Sequence, residues 1–168
     1  KAAALGLSKD EVYTLASIVE EETRNNDEKD TIASVYINRL NTGMPLGADP
    51  TIKFALKDFG LKRILLKHLS VVSPFNTYKN KGLPPGPVCT PSAVTIDETL
   101  DAPKTDYFYF VAKSDFTEGH HFSKTYAEHL FFANEYQRAL DTLMEKKKTE
   151  TETKEKQKTE IKHRMQTP

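Results

Sequence analysis

The sequence lacks tryptophan, has a single cysteine and carries no net charge. Because Cys89 is alone, an intrachain disulfide and a cysteine-based zinc cluster are both excluded. The 24 basic side chains balance the 24 acidic ones, so the composition offers no overall field that would attract nucleic acid or an anionic membrane. No apolar run is long enough to span a bilayer, and no signal peptide is recognisable. The 168 residues suffice for one globular domain with a sizeable core.

Three consecutive glutamates, Glu20 to Glu22, end the first predicted helix. Ser8 and Glu11 form the S-x-x-E pattern of a capping box, which marks where that helix begins. On a helical wheel at about 100° per residue, Glu21 points away from the apolar face and Glu20 lies on its shoulder. Glu21 is therefore expected to be an ordinary solvated charge.

Glu22 is different, because the wheel places it between Leu15 and Ile18 on the apolar side. Burial disfavours the ionised form of a carboxyl group and raises its pKa. A raised pKa is what a general acid needs near neutral pH. The sequence therefore predicts Glu22 as a candidate general acid, and the alternative is an ordinary charged last turn of a helix.

Five of the nine prolines fall between residues 70 and 91. Together with Gly82 and Gly86 they exclude regular structure over most of that segment. Long ordered loops in compact domains tend to be functional. This loop carries Asn76 and Tyr78 as candidate ligand-binding side chains, and the alternative is a purely structural linker.

The rest of the pattern predicts further helices and one small sheet. A second helix ends near Leu40, and a third begins at Asp49 and Pro50, with Asp49 as its cap. A strand over residues 107–112 and a returning strand at 121–123 form a hairpin, and a last helix begins near residue 126. From residue 146 almost no apolar residue remains, so residues 1–145 are predicted to fold and 146–168 to form a disordered tail.

Other patterns that carry chemistry are weak in this sequence. The histidines at 120, 121 and 129 have no cysteine or carboxylate at ligand spacing, so no metal site is predicted. Ser73, His120 and Asp106 make a triad only on paper, since no G-x-S-x-G elbow frames a serine. What remains is Glu22 facing a loop rich in amide and phenol groups, an arrangement typical of carbohydrate chemistry.

Six collinear motifs between about residues 15 and 140 resemble those of the YceG-like (MltG) family of endolytic peptidoglycan transglycosylases. They read ASIVEEET at 16–23, ASVYINRL at 33–40, GMPL and DPT at 43–46 and 49–51, NTY and GLPPGP at 76–78 and 82–87, KTDYFYFVA at 104–112 and GHHF at 119–122. Residues 57–72 match the family only loosely, and no function is assigned to them.

The resemblance implies an α+β fold in which several helices pack on a small antiparallel sheet. A lysozyme-like helix would carry the acid at the floor of a glycan groove. The family's catalytic glutamate precedes the threonine of the first motif, which is Glu22 here. The expected substrate is the MurNAc-β-1,4-GlcNAc bond of peptidoglycan glycan strands, with no cofactor and no metal. The candidate substrate-binding residues are Asn38, Asp49, Thr51, Asn76, Tyr78 and His120.

The resemblance also implies an extracytoplasmic location on the cell membrane, facing the periplasmic side. An N-terminal transmembrane anchor and a glycan-binding domain of the family have no counterpart in this sequence. Cell-wall synthesis machinery is a further expected partner, and nucleic acid is not. Two alternatives stay open: a hydrolytic muramidase that uses Asp49 as a second carboxylate, and a catalytically silent glycan-binding module.

Overall fold

The computed structural model describes the backbone of residues 1–166 and the side chains of residues 1–158. Five helices pack on a two-stranded antiparallel sheet in this part of the chain, which confirms the predicted α+β class. In chain order the elements are α1 (Lys9–Glu22), α2 (Lys29–Thr42), α3 (Asp49–Leu56), α4 (Ala93–Leu100), β1 (Tyr109–Ala112), β2 (His120–Ser123) and α5 (Tyr126–Gln166).

The core forms where α1 and α2 pack together. The predicted capping box begins α1: Ser8 Oγ accepts a hydrogen bond from the Glu11 amide at 3.1 Å, and Glu11 Oε2 accepts one from the Ser8 amide at 2.8 Å. Apolar side chains at helical spacing on both helices are removed from water, which is the main source of stability in a domain of this size. The buried cluster contains Leu15, Ile18, Val19, Ile32, Ala33, Tyr36, Ile37, Leu46, Ala48 and Val88.

The sheet is the hairpin that the sequence predicts. β1 pairs with β2 in antiparallel register, with Phe110 opposite Phe122 and Tyr109 opposite Ser123. Phe110 and Phe122 pack against the buried cluster, so one face of the hairpin closes the core. The strand begins at Tyr109, two residues later than predicted, because the carbonyl of Tyr107 accepts a hydrogen bond from the Asn38 side chain.

The start of α3 differs from the prediction in one respect that matters for the site. Ala48, and not Asp49, is the N-cap, and no side chain caps the helix. The carboxylate of Asp49 is thereby left to accept a hydrogen bond from the Tyr78 hydroxyl. The helix ends at Leu56, where Lys57 adopts a left-handed conformation with φ 53°.

The C-terminal segment is helical where disorder was predicted. α5 continues through Gln166, and lysine and glutamate, which favour helices, make up much of this stretch. Every side chain from residue 146 to residue 158 is exposed, so this part of α5 adds no buried surface to the core. Residues 167 and 168 lie outside the described residues, and a domain boundary at residue 145 stays a prediction.

None of the helices formed by the described residues has the length and apolar character that crossing a membrane requires.

Candidate active site

An open pocket of about 480 Å³ lies where the end of α1 meets α2, the start of α3, β1 and the first turn of α5. One part of its lining is polar and the other is aromatic, a combination suited to a ligand with both hydroxyl groups and apolar faces. The polar side chains are Glu22, Arg39, Asp49 and His129, and the aromatic ones are Tyr36, Tyr78, Tyr109, Phe110 and Tyr126.

Glu22 lies at the end of α1, where its carboxyl group opens on this pocket. Tyr36 Oη donates a hydrogen bond to Glu22 Oε1 at 2.5 Å. Burial raises the pKa of Glu22 to about 7; the charge of Asp49 acts in the same direction, and the hydrogen bond from Tyr36 opposes both. A large share of Glu22 is therefore protonated near neutral pH, which is the state in which a general acid acts.

Glu20 lies two residues earlier in a contrasting environment. Its Oε2 accepts hydrogen bonds from the amide of Ser92 at 3.1 Å, from Ser92 Oγ at 3.0 Å and from Thr95 Oγ1, and lies 3.6 Å from Lys29 Nζ. Burial acts to raise the pKa of Glu20, but the hydrogen bonds and the Lys29 charge outweigh it and hold that pKa below its ordinary value. Glu20 thus joins α1 to α2 and α4 as a fixed anion.

Asp49 and Tyr78 form the wall of the pocket next to Glu22. Tyr78 Oη donates to Asp49 Oδ1 at 2.5 Å, and burial followed by this hydrogen bond raises the pKa of Tyr78. Gly47 lets the two segments approach: its φ is 57°, and an added Cβ would lie 3.4 Å from both the Tyr78 ring and the Arg39 guanidinium. Tyr78 is therefore on the same side of the domain as Glu22, where the sequence analysis expected it.

Asn76 and Thr51 were expected to contact substrate, and the structure places both outside the pocket lining. Both side chains are completely buried. Asn76 Nδ2 donates to the carbonyls of Leu69 and Val71 at 3.0 and 2.7 Å, and its Oδ1 accepts from the Tyr78 amide at 3.0 Å. The polar capacity of Asn76 is used to shape the loop that presents Tyr78.

Thr51 has a similar supporting position. Its Oγ1 donates to the Ala48 carbonyl at 2.6 Å and lies 2.8 Å from Thr77 Oγ1, which accepts from the Ala48 amide at 2.9 Å. These bonds join the start of α3 to the proline-rich loop. They fix the backbone on either side of Asp49 and Tyr78.

Asn38 and His120, also expected to contact sugar, lie outside the pocket lining, and that expectation stays a prediction. Asn38 Nδ2 donates to the carbonyls of Thr105 and Tyr107, both at 2.9 Å, and so fixes the segment that leads into β1. His120 Nδ1 lies 2.9 Å from Glu28 Oε2, and its amide donates to Glu28 Oε1 at 2.9 Å. These two residues attach the hairpin to the helices.

The histidines of the weak metal pattern do not converge. His121 stacks on Phe132 with ring centroids 4.1 Å apart, and His129 stacks on Tyr109 at 5.2 Å, while His120 is paired with Glu28. Across the part of the chain that the structure describes, no group of three histidine, cysteine or carboxylate side chains is arranged to hold a metal.

Arg39 is a pocket residue to which the sequence analysis assigned no role. Its Nε donates to the Phe108 carbonyl at 2.7 Å, its Nη1 donates to the Leu46 carbonyl at 2.7 Å, and its guanidinium lies 5.2 Å from the centre of the Tyr109 ring. A signal was available, because Tyr36 and Arg39 are three residues apart and share one face of α2. That face meets the end of α1.

Fold and site together define a small α+β domain whose first helix delivers one protonatable carboxyl group to an open, partly aromatic pocket. Residues 1–135 match the YceG-like family, and the chain belongs to that family. The family prediction is confirmed.

The chain is similar in sequence to two bacterial proteins and in structure to a third. The chain is 44% identical over 121 residues to the endolytic murein transglycosylase of Bacillus subtilis strain 168, covering 70% of this chain and 32% of that protein. It is 40% identical over 117 residues to the endolytic murein transglycosylase of Streptococcus pneumoniae D39, covering 67% and 21%. A crystal structure of a yceG-like protein from Listeria monocytogenes superposes with a TM-score of 0.68 at 39% identity, covering 76% of this chain and 40% of that one. The chain thus spans a third or less of the two curated relatives.

Proposed function

We propose that this chain is the catalytic domain of an endolytic lytic transglycosylase. It cleaves the β-1,4 bond between N-acetylmuramic acid and N-acetylglucosamine within peptidoglycan strands and leaves 1,6-anhydro-muramic ends. The observation that carries the proposal is the position of the Glu22 carboxyl group, which opens on the pocket in surroundings that raise its pKa to about 7. The names of the two bacterial relatives support peptidoglycan as the substrate.

In the first step Glu22 acts as general acid. Tyr36 donates its hydrogen bond to Oε1, which leaves Oε2 as the oxygen that carries the acidic proton. Glu22 transfers this proton to the glycosidic oxygen as the bond to the muramic anomeric carbon breaks. The N-acetylglucosamine end leaves as an alcohol, and the anomeric carbon acquires oxocarbenium character.

In the second step the same residue acts as base. The Glu22 carboxylate takes the proton of the muramic C6 hydroxyl, whose oxygen closes onto the anomeric carbon. The proton returns to Glu22, so the residue ends the cycle as it began. No water is consumed, and the cycle requires no metal or cofactor.

Asp49 supports a second candidate, a hydrolytic muramidase. Its carboxylate lines the same pocket and is near enough to Glu22 to contribute to the raised pKa. A retaining or inverting glycosidase needs such a second carboxylate, as nucleophile or as base for water. Against this assignment, Asp49 Oδ1 already accepts a hydrogen bond from Tyr78, which lowers its strength as a nucleophile or base.

A silent glycan-binding module is the third candidate. A binding site has no need of a buried carboxyl group whose pKa is raised to about 7, and such a group costs stability whenever it ionises. The environment of Glu22 therefore favours an enzyme.

Product masses separate these candidates in one digest. Purified peptidoglycan is incubated with the chain, and the soluble muropeptides are analysed by mass spectrometry. The transglycosylase produces anhydro-muropeptides, each one water lighter than the hydrolysis product. Ordinary reducing ends would favour the muramidase, and no soluble product would favour the binding module.

We further propose that the full-length protein acts at the extracytoplasmic face of the cell membrane. There it would be held by an N-terminal transmembrane segment outside this sequence and would work beside cell-wall synthesis enzymes. Family membership and the location of peptidoglycan support this placement. Protease treatment of intact spheroplasts tests it: the full-length protein should be cleaved from outside, and protection would contradict the placement.

A further inference from the structure

The rings of Tyr109, Tyr126 and His129 line one side of the pocket and are called the aromatic wall here. The proposed reaction assigns them no role. The Tyr109 and His129 rings stack at 5.2 Å with 25° between their planes. Tyr126 lies 5.7 Å from Tyr109 and 6.2 Å from His129, measured between ring centroids. Tyr109 belongs to β1 and the other two belong to the first turn of α5, so the wall joins two elements.

Arg39 holds the Tyr109 ring of this wall in place. Arg39 lies 5.2 Å from the centre of the Tyr109 ring and is itself bonded to the carbonyls of Phe108 and Leu46. A ring fixed in this way loses little freedom when a ligand binds, so less binding energy is spent on ordering it. The Tyr109 ring of the wall is therefore preorganised.

Tyr126 leaves a large aromatic surface uncovered at the rim of the pocket. It is 58% exposed, although it lines the pocket and packs on its two neighbours. The C–H face of a pyranose ring is apolar, whereas its edge carries the hydroxyl groups. An aromatic ring that covers such a face removes apolar surface of both partners from water.

Only one of the two ring nitrogens of His129 is buried without a hydrogen-bond partner among the described residues. Its Nδ1 is buried without a hydrogen-bond partner, and an orphaned lone pair costs less there than an orphaned N–H. The proton therefore belongs on Nε2, which is neither buried without a partner nor bonded to any described group. Burial lowers the pKa of His129, and the Arg39 charge adds to this, so the ring stays neutral with one donor.

We propose that the wall formed by Tyr109, Tyr126 and His129 is a sugar-binding subsite of this pocket. A pyranose unit adjoining the scissile bond stacks its apolar face on Tyr126, and His129 Nε2–H donates a hydrogen bond to an oxygen of that unit. This inference rests on the proposed function. It names the residues that hold the glycan next to Glu22.

Calorimetric titration of the Glu22→Gln chain with a peptide-free hexasaccharide of alternating N-acetylglucosamine and N-acetylmuramic acid tests the subsite. Tyr126→Ala in that background is expected to weaken binding about tenfold, because the stacking surface is lost. Phe131→Ala is the matched control: Phe131 is 60% exposed on the same helix but does not line the pocket. Equal affinities for the Tyr126 and Phe131 variants would overturn the subsite.

The hydrogen bond from His129 is tested by a pair of variants. Gln and Met are similar in length, but only Gln can present an N–H near the position of Nε2. His129→Gln should bind the hexasaccharide about fivefold more tightly than His129→Met. Equal affinities of the two His129 variants would contradict the proposed hydrogen bond from Nε2.

Cleavage of peptidoglycan by the wild-type chain is measured in parallel. If cleavage occurs and Tyr126→Ala binds as well as its parent, only the subsite is overturned. If the wild-type chain releases no product and its Glu22→Gln variant binds no glycan, the subsite and the proposed function are both overturned.

Discussion

Glu20 and Glu22 are the same residue type on the same helix, yet their surroundings shift their pKa values in opposite directions. Glu20 has a pKa below its ordinary value, and Glu22 has one raised to about 7. Two residues along an α-helix turn the side chain by about 200°. Glu20 therefore contacts the start of α4, and Glu22 lines the pocket.

The difference lies in what compensates the loss of water. Glu20 is desolvated, but it receives three hydrogen bonds and faces the ammonium group of Lys29. Glu22 receives one hydrogen bond from a neutral phenol and shares its pocket with the negative charge of Asp49. Burial alone does not decide the role of a carboxyl group, because the donors around it decide whether the charge is kept.

The largest expected effect is on catalysis. Glu22→Gln keeps the shape of the side chain but can no longer carry the proton, so release of muropeptides should fall about a thousandfold while the fold persists. Glu21→Gln is the matched control, because Glu21 is the exposed member of the triplet. This variant should cleave peptidoglycan at the normal rate. An unchanged rate in Glu22→Gln would contradict both the transglycosylase and the muramidase assignments.

The next effect is on stability and falls on Glu20. Glu20→Gln leaves Lys29, only 3% exposed, without a counter-charge, and should lower the free energy of unfolding by about 2 kcal/mol in urea. Because the folded pKa is depressed, the contribution of Glu20 is present above the unfolded pKa and is lost as the pH falls through the folded value. Cleavage per folded molecule should be nearly unchanged, and a loss as large as that of Glu22→Gln would remove the contrast between the two residues.

A smaller effect is expected at Tyr78. Tyr78→Phe removes the hydroxyl that donates to Asp49 and retains the ring beside Gly47. Turnover should fall about fivefold, the equivalent of one lost hydrogen bond, with an unchanged melting temperature. A variant that cleaves faster and yields products of ordinary mass would show that the Tyr78 hydroxyl had been restraining Asp49 as a second carboxylate.

The smallest effect is expected at the C-terminal end. Deleting residues 146–168 should leave the melting temperature within about 1 °C, because the side chains of 146–158 are all exposed. A longer truncation that removes all residues after 125 also removes Tyr126 and His129, and it serves as the contrast. A drop of several degrees in the shorter deletion would show that the exposed part of α5 supports the domain.

Local patterns predicted the elements well, and the helical wheel placed Glu22 correctly on the inner side of α1. The capping box and the hairpin needed only neighbouring residues to be recognised. Residues 146–168 were predicted to form a disordered tail, because they contain almost no apolar residue. Lysine and glutamate have high helix propensity, which favours the helix that continues through Gln166.

The partners of the supporting residues could not be predicted, for a physical reason. In the structure, the side chains of Asn38, Asn76, Thr51 and His120 bond to backbone groups or to other side chains of the protein. A single sequence does not indicate whether a polar side chain binds a ligand or the backbone. The aromatic wall was missed because it joins a strand to a helix through tertiary contacts.

The central claim is that the pocket raises the pKa of Glu22 to about 7, so that a large share of it is protonated near neutral pH. Carbon-13 NMR titration of the glutamate carboxyl groups measures this directly, with Glu20→Gln and Glu22→Gln spectra identifying the two resonances. We predict that Glu22 titrates at about pH 7 and that Glu20 titrates below its ordinary value of 4.5. A Glu22 resonance that titrates near 4.5 would contradict the account.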